Sequence, residues 1–399
     1  MLREGGQIDG FVLGPRVHVG GMSALYRVTK AGEQRPLVMK VPLLGAGAPR
    51  EAVVAFETEA AIVPTLTGPH VPAFVAAGDL EGTPYLVTEW VEGQALEDRL
   101  TPGGLEPAGV ARLGAALADA LHSVHVQGVI HLDLKPANVI VRGDATAVLI
   151  DFGFAHREGH ADLIAEETRF ALGSAPYVSP EQLLGSRRDP RSDLFALGVV
   201  LYELATGELP FGEPDADVRN RFWLDPVPPS ARSPAVPPWL QEVILRSLEP
   251  SAERRHASAA LVAFDLRHPE QVALGARASK TARVGPLAHL RRFVRARTEL
   301  GARLRSPEPL PSQTPIVLVA VDTGDIDDPR HEVIRGVVTK IVRLSDEFRL
   351  LVLSVIAPSE PSLEHVVRLR RWAAPLGVAR ERLSLHAIES SSVADVIVE

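Results

Sequence analysis

Short apolar segments separated by polar turns open the chain and indicate a unit built mainly of β-structure. Phe11–Leu13, Leu25–Val28 and Leu37–Val41 have the length of strands, and a glycine-containing turn separates the first two. Residues 49–66 then repeat apolar positions at helical spacing, and Tyr85–Val91 predicts a further strand. The opening part of the chain therefore predicts a small sheet interrupted by one helix.

Helical periodicity dominates the next part of the chain. Residues 105–127 form an alanine- and leucine-rich segment that Gly128 ends, and Trp239–Leu248 has the pattern of an amphipathic helix. Between them, Val139–Val141 and Val148–Ile150 are short apolar runs that predict a two-stranded hairpin. We expect a mostly helical unit that contains this hairpin.

The pattern changes again after a proline-rich stretch that ends at Pro315, which we interpret as a stiff boundary. Uninterrupted apolar runs then alternate with helical patterns, as in a buried parallel sheet with right-handed crossovers. In chain order the segments are Ile316–Val321, 330–346, Leu350–Ile356, 361–376 and the shorter apolar runs Leu383–Ile388 and Val393–Val398.

Composition excludes several classes of function. The 399 residues include 46% hydrophobic and 23% charged residues, which is ordinary for a globular protein. The net charge of −8 makes nucleic acid an unlikely partner, and the absence of cysteine excludes disulfides and thiolate chemistry. No apolar run reaches the roughly eighteen residues of a bilayer span, and the N-terminal residues lack the apolar core of a signal peptide. We expect no transmembrane segment and a cytoplasmic location.

Residues 277–305 form a basic segment with nine Lys or Arg residues and one acid, and its leucines and valines recur at roughly helical spacing. A basic amphipathic helix could contact a membrane, nucleic acid or an acidic surface of a neighbouring domain. A connector whose apolar side packs on a neighbouring domain is the simpler interpretation.

Four polar residues around the predicted hairpin indicate chemistry. Asp133 can orient a substrate hydroxyl or accept its proton, and Lys135 can neutralise a transferred phosphate. Asn138 and Asp151 offer hard oxygen ligands, which suit magnesium. Together they indicate a magnesium-dependent phosphotransferase.

Lys40 lies in an apolar strand, where an unpaired ammonium would be costly, so it needs an anionic partner. Glu57 and Glu59 are the candidate acids on the helix that follows. We choose Glu59, because Glu57 is better placed for solvent if Phe56 and Ala60 face inward.

Residues 8–268 resemble the eukaryotic-like serine/threonine protein kinases of bacteria. The matching motifs are Val38–Lys40, His131–Asn138, Asp151–Gly153, Gly173–Tyr177, Ser179–Glu181, Asp193–Gly198 and Arg255. The resemblance implies an α+β two-lobed protein kinase fold, with a small β-rich lobe at 8–90 and a large helical lobe at 91–268. Lys135, two residues after the catalytic aspartate, is similar to Ser/Thr kinases and differs from tyrosine kinases.

The resemblance also implies the role of each site residue. Asp133 and Lys135 are the expected catalytic residues, and Asn138 and Asp151 are the expected Mg²⁺ ligands. The residues expected to bind ATP are Val17, Gly20, Gly21, Leu25, Lys40, Glu59, Glu89, Val91 and Ile140. The implied reaction transfers the γ-phosphate of ATP to Ser or Thr hydroxyls of protein substrates.

Two motifs depart from the family pattern. His18 and Ser23 replace the outer glycines of the phosphate-binding hairpin, which keeps Gly20 with Gly21 beside it. Leu132 replaces the arginine that in many relatives pairs with a phosphorylated activation loop, and leucine cannot make that charge-assisted contact. We therefore expect a non-RD kinase whose activity does not depend on such phosphorylation.

Three interpretations follow for residues 8–268. The leading one is an active, stress-related or regulatory Ser/Thr kinase, with autophosphorylation at Thr168 or Ser174, the two hydroxyl-bearing Ser/Thr residues between Asp151 and Tyr177. The first alternative is a pseudokinase that binds nucleotide as a scaffold. The second is a small-molecule kinase of the aminoglycoside phosphotransferase kind, which lacks the counterparts of Lys135, the 173–181 segment and Arg255.

Residues 314–399, which follow a basic and proline-rich linker at 269–313, resemble a universal stress protein domain. The resemblance rests on Val319–Asp322 and Ala394–Val398, and Asp322 matches an aspartate near the nucleotide in that family. The family's glycine-rich phosphate loop would lie beyond Val398, so we expect an incomplete domain without nucleotide. We expect a structural module that could contact a partner or form a dimer.

Overall fold

A computed structural model describes residues 3–43, 51–78, 83–159, 162, 164, 173–212, 224–282, 316–325, 328–343, 349–357, 362–378 and 382–389. These residues form two packed lobes followed by a parallel sheet with helices. Thr168, most of the basic segment beyond residue 282 and the apolar run at 393–398 lie outside the described residues.

Six described strands form the antiparallel sheet of the small lobe, in the order β1-β2-β3-β4-β6-β5. Alternating side chains of these strands, including Leu13, Tyr26, Met39 and Val87, form one buried cluster. The strands are β1 (Gln7–Ile8), β2 (Phe11–Val19), β3 (Ser23–Lys30), β4 (Leu37–Pro42), β5 (Phe74–Gly78) and β6 (Tyr85–Glu89).

Helix α1 (Glu51–Ile62) follows β4 and is apolar over most of its circumference. Its residues Ala52–Glu59 are all buried, so the helix is covered on more than one side. Its inward side reaches the large lobe, because a Cβ added at Gly153 would lie 3.1 Å from the Cβ of Ala55.

The large lobe is mainly helical and contains the predicted hairpin. The helix Arg191–Thr206 is buried along nearly its whole length, and Gly198 lets it approach the helix Pro238–Ser247 closely, since a Cβ there would lie 2.8 Å from the Cβ of Ser247. The helices are α2 (Pro107–His125), α3 (Pro180–Leu183), α4 (Arg191–Thr206), α5 (Pro229–Arg232), α6 (Pro238–Ser247) and α7 (Ala259–Arg267). The short strands are β7 (Gln94–Ala95), β8 (Val129–Ile130), β9 (Val139–Val141), β10 (Ala147–Leu149) and β11 (His156–Arg157).

Basic residues at the start of the predicted linker lie against the large lobe. Arg277 contacts Glu242 at 3.0 Å and Glu249 at 2.8 Å, and Lys280 pairs with Asp225. Arg277 and Lys280, the first two basic residues of the basic segment, therefore contact an acidic surface of the chain itself.

The C-terminal residues form a three-stranded parallel sheet in the order β12-β13-β14. Its elements are β12 (Ile316–Ala320), α8 (Pro329–Val342), β13 (Arg349–Ile356), α9 (Ser362–Ala373) and β14 (Leu383–Glu389). The strand–helix–strand–helix–strand order matches the order predicted from the apolar runs, and Leu369 and Trp372 of α9 lie in its core. We call residues 316–389 the C-terminal unit.

Candidate active site

Asp193 of α4 holds in place the segment His131–Asn138, the catalytic loop that the family resemblance implies. Its buried carboxylate accepts the backbone N–H groups of His131 and Leu132, each at 2.8 Å, and lies 2.8 Å from Nε2 of His125. Burial alone would raise the pKa of Asp193, but the contact with His125 and the N–H of His131 outweigh burial and hold the pKa below its ordinary value. An ionised carboxylate inside the lobe therefore fixes the backbone just before Asp133.

Asp133 lies at the centre of the loop and is 4% exposed. Its Oδ1 accepts the N–H of Ser174 at 2.7 Å, and its Oδ2 accepts the Asn138 side-chain amide at 3.0 Å. The ammonium of Lys135 lies 3.3 Å from the same Oδ2 and donates to Oγ of Ser174 at 2.8 Å. Asp133 and Lys135 therefore lie side by side, next to the segment that contains Ser174.

Lys40 joins the two lobes electrostatically. Its Nζ lies 2.6 Å from Oε2 of Glu59 and 2.8 Å from Oδ1 of Asp151. Burial would lower the pKa of Lys40, but Asp151 and Glu59 outweigh burial and raise it. Burial raises the pKa of Glu59 above its ordinary value, whereas Lys40 holds the pKa of Asp151 low despite burial. Lys40 is therefore charged, and Asp151 is a carboxylate.

Asn138 and Asp151, the two expected metal ligands, are tied together by the Ile150 N–H, which donates to the Asn138 carbonyl at 3.0 Å. The amide nitrogen of Asn138 is engaged by Asp133, so the remaining oxygen of that amide is the atom suited to a cation. Asp151 keeps 40% of its side chain exposed and has a second oxygen besides the one that contacts Lys40. This oxygen donor set fits a hard divalent cation such as Mg²⁺.

The glycine-containing hairpin between β2 and β3 is open. Val17 is 41% exposed, and the Gly20 N–H donates to the carbonyl of Ser23 at 2.9 Å. A Cβ added at Gly21 would meet no atom within 4 Å, so no steric contact requires glycine there. Leu25 lies opposite Lys40 across the β3–β4 pairing, which brings this expected contact residue onto the same sheet as the lysine.

The remaining expected nucleotide contacts lie where the small lobe joins the large one. The carboxylate of Glu89 pairs with Arg142, so its main chain is the part that could face a nucleotide. Val91 follows directly and is partly exposed. Ile140 of β9, also partly exposed, pairs with Ala95 of β7 on the large-lobe side.

An ion pair lies deep in the large lobe at Glu181, the last residue of the 173–181 segment. Arg255 donates to both carboxylate oxygens of Glu181, at 2.5 and 2.8 Å, and to the carbonyls of Arg191 and Glu249. The Ser192 hydroxyl donates to Glu181 at 2.8 Å. Each of the two terminal nitrogens of the guanidinium thus binds one carboxylate oxygen of Glu181, which is the geometry of a bidentate pair.

Leu132 adopts the left-handed backbone region, with φ 60°, and is 3% exposed. Its N–H is bound by Asp193, and its carbonyl accepts the Gln182 side-chain amide at 2.9 Å. A non-glycine residue in this region costs about 1–3 kcal/mol and persists only where its surroundings hold it. The loop backbone is therefore held by hydrogen bonds, and the apolar Leu132 side chain is buried.

Sequence reasoning missed a buried pair beyond the D-F-G motif. Arg187 places Nε 2.8 Å from Oδ2 of Asp162 and donates to the carbonyl of Phe154 at 2.8 Å. His156 lies 3.3 Å from the same Asp162 oxygen. No spacing or composition signal in this stretch points to the pairing.

One expectation is wrong. Glu57 does not face solvent: it is 4% exposed and forms an ion pair with Arg370 of α9. The expectation assumes that only one side of α1 is covered. The C-terminal unit reaches the other side, and periodicity within the helix cannot reveal a contact so distant in sequence.

The two lobes and the charged groups assembled between them define a protein kinase fold. Structures of the PknI kinase domain from Mycobacterium tuberculosis match with a TM-score of 0.54 at 24% identity, covering 68% of this chain and 100% of that domain. A comparison with family models matches residues 12–263 to the protein kinase domain. The chain therefore belongs to the protein kinase family.

Among curated proteins, the chain is similar to the serine/threonine-protein kinase PknB of Mycolicibacterium smegmatis, at 34% identity over 265 residues. PknB of Mycobacterium tuberculosis, strain H37Rv, is 33% identical over 265 residues. Each alignment covers 65% of this chain and 42% of the relative, so the chain spans less than half of the length of these kinases. In the described ranges, none of the helices combines the length and apolar composition that a bilayer span requires.

Proposed function

We propose that the chain is an ATP- and Mg²⁺-dependent serine/threonine protein kinase. The observation that carries the proposal is the assembly of Lys40, Glu59 and Asp151 into one ionic group next to the Asp133 loop. Similarity to kinases named as Ser/Thr-specific supports the acceptor class. The 173–181 segment and Arg255 weigh against a small-molecule kinase of the aminoglycoside phosphotransferase kind.

Each charged group then has a role in phosphoryl transfer. Lys40, held by Glu59, positions the α- and β-phosphates of ATP, and Lys135 neutralises charge on the transferred γ-phosphate. Asp133 orients the acceptor hydroxyl, with its carboxylate already fixed by Asn138 and the Ser174 N–H. Bound Mg²⁺ would be held by Asn138 and Asp151 and would supply charge neutralisation at the phosphates.

The nucleotide pocket is proposed from residues of both lobes. Val17, Gly20, Gly21 and Leu25 would cover the phosphates and the base, and their hairpin carries the small residues that a close approach needs. The main chain of Glu89 and Val91 would meet the edge of the adenine, and Ile140 would support the base from the large lobe.

We also propose autophosphorylation, with Thr168 favoured over Ser174. The Ser174 hydroxyl already accepts a hydrogen bond from Lys135, and its N–H is bound by Asp133. Leu132 supports the non-RD type, because no cation occupies its place in the loop. The C-terminal unit has a parallel three-stranded sheet, which is compatible with a universal-stress-protein-like module. We propose that it is such a module and that the chain acts in stress or regulatory signalling.

The test is phosphotransfer from radiolabelled ATP by the purified chain, on itself and on a general Ser/Thr acceptor protein. We expect incorporation that falls at least about a hundredfold in Asp133→Ala and in Lys40→Ala. Phosphoamino-acid analysis should find phosphoserine or phosphothreonine. Equal labelling of all three proteins would contradict the proposal.

The open hairpin, with His18 and Ser23 in place of glycines, favours a second candidate, a nucleotide-binding pseudokinase. Wild-type protein that gains thermal stability with ATP and Mg²⁺ but transfers no phosphate would support this alternative.

A further inference from the structure

Two of the acids on helix α1, Glu57 and Glu59, face opposite sides. Glu57 and Glu59 are two residues apart, which turns them about 200° around the helix axis. Glu59 faces inward, where its Oε2 contacts Lys40 at 2.6 Å and its Oε1 accepts the Phe152 N–H at 3.3 Å. Glu57 faces outward and pairs with Arg370 of α9. The helix that positions Glu59 at the active site is therefore also bound by the C-terminal unit.

The outward pair is buried on both sides. The side chain of Glu57 is 5% exposed and that of Arg370 is 11% exposed. Removing either partner would leave the other charge buried without a partner, which costs far more free energy than losing an exposed ion pair. The exposed pairs of the chain, such as Arg267 with Asp119, carry no such penalty. The Glu57–Arg370 contact therefore couples the position of α1 to that of α9.

The same contact has the features of a separable interface. Oε1 of Glu57 and Nε of Arg370 are buried without a hydrogen-bond partner among the described residues. Buried polar atoms in a permanent core are nearly always paired. Separation of α9 from α1 would return these atoms to water, which offsets part of the lost attraction and leaves two accessible arrangements.

We propose that the C-terminal unit acts as an intramolecular activator, whose helix α9 docks on the outer side of α1 through Arg370 and Glu57 and holds Glu59 against Lys40. The regulatory part of this proposal rests on the proposed kinase function, whereas the docking part does not. Docked, the unit keeps the ionic group of Lys40, Glu59 and Asp151 assembled. Undocked, α1 loses the cover of its outer side, and Glu59 is free to leave Lys40.

The first measurement is hydrogen exchange of the full-length chain, which requires no catalysis. Arg370→Met should speed exchange of the α1 amides, residues 51–62, by about tenfold. Arg371→Met is the matched control, because Arg371 is the neighbouring arginine on α9 and is exposed. Unchanged α1 exchange in Arg370→Met would overturn the docking proposal.

Folding of the C-terminal unit must be separated from docking. Exchange in β13 reports on the unit itself, and Glu57→Gln removes the pair from the kinase side without altering the unit. Both Arg370→Met and Glu57→Gln should expose α1 while β13 stays protected. If Glu57→Gln leaves α1 exchange unchanged, the pair does not hold the helix and the proposal fails.

The second measurement is phosphotransfer. Arg370→Met and Glu57→Gln should each lower kcat about tenfold, with Arg371→Met unchanged, and the charge exchange Glu57→Arg with Arg370→Glu should recover most of the loss. Faster α1 exchange with an unchanged kcat would overturn the activating role and keep only docking. A wild-type chain without phosphotransfer would refute the kinase function and the activating role together, while the exchange data would still decide docking.

Discussion

The large and small lobes hold their ionic groups in different ways. In the large lobe, Arg255 binds both oxygens of Glu181 and is itself fully buried, with further bonds to backbone carbonyls. In the small lobe, Lys40 is shared between Glu59 and Asp151, which lie on different elements, and its side chain remains 20% exposed. The large-lobe pair has one arrangement fixed by many bonds. The arrangement of the small-lobe group instead depends on the position of α1, which carries Glu59.

The most severe test of this contrast is Arg255→Met. Because Glu181 would remain buried without its partner, we expect a loss of about 3–5 kcal/mol in the free energy of unfolding. Urea denaturation measures it, and Arg267→Met at the exposed pair with Asp119 is the control, with an expected loss of about 0–1 kcal/mol. Equal losses in the two variants would show that the large-lobe pair is no more than a surface contact.

The second prediction concerns Asp193, which fixes the catalytic loop. Asp193→Asn keeps the shape but removes the charge that binds the N–H groups of His131 and Leu132, so we expect a loss of about 2 kcal/mol near neutral pH. The folded-state pKa of Asp193 is lowered, so its stabilisation is present above the unfolded value of 3.8 and is lost as pH falls through the folded value. The difference between wild type and variant should therefore shrink below pH 3.8. A difference that stays constant from pH 7 to pH 3 would contradict this assignment.

The sequence predicts most of this architecture because the large lobe and the C-terminal unit are built from elements with local apolar patterns. The apolar runs predict β9, β12, β13 and β14 to within a residue or two of their observed bounds. The residues proposed to carry chemistry lie in compact motifs, so the Asp133 loop and Asp151 could be selected from the order of residues alone. Backbone geometry enforces their spacing, as the bond between the Ile150 N–H and the Asn138 carbonyl shows.

What the sequence could not predict are contacts between distant segments. Glu57 has the pattern of a solvated residue, and its partner Arg370 lies in another unit of the chain. The Arg187–Asp162 pair likewise joins segments that no periodic pattern relates. One signal was present in α1 itself: valines and alanines on both sides of a helix indicate that both sides are covered.

The third prediction addresses the small-lobe group, where Lys40→Met should cost little stability despite abolishing function. Two features reduce the cost of removing the Lys40 charge. Burial raises the pKa of Glu59, so this acid can take up a proton, and Asp151 is partly hydrated. We expect a loss of about 1 kcal/mol, well below that of Arg255→Met.

The pH dependence of Lys40→Met sharpens the same point. A carboxyl whose folded pKa is raised gives stability that is present below its unfolded pKa and is lost as pH rises through the folded value. The variant should therefore be more stable, relative to wild type, at pH 5 than at pH 8. Glu59→Gln combined with Lys40→Met is the control and should remove this dependence. A cost as large as that of Arg255→Met would erase the contrast between the lobes.

The smallest expected effect is that of Thr168→Ala, a site outside the described residues. In this chain the catalytic-loop backbone is held by Asp193 and Gln182, and Leu132 offers no cation to a phosphate. Arg187, a buried cation of the large lobe, already binds the carboxylate of Asp162. We therefore expect kcat to change less than about twofold, in contrast to kinases in which an arginine reads a phosphorylated loop.

The matched comparison for Thr168→Ala is Ser174→Ala, which removes the acceptor of the 2.8 Å bond from Lys135. Ser174→Ala should lower kcat about tenfold, because Lys135 then loses the partner that orients it beside Asp133. Loss of phosphotransfer in Thr168→Ala, with nucleotide affinity intact, would mean that a phosphate acts on the loop through residues other than Leu132. A large effect of Ser174→Ala with a small effect of Thr168→Ala would instead show that the fixed contacts of Lys135 and Asp133 with Ser174 matter more than phosphorylation at Thr168.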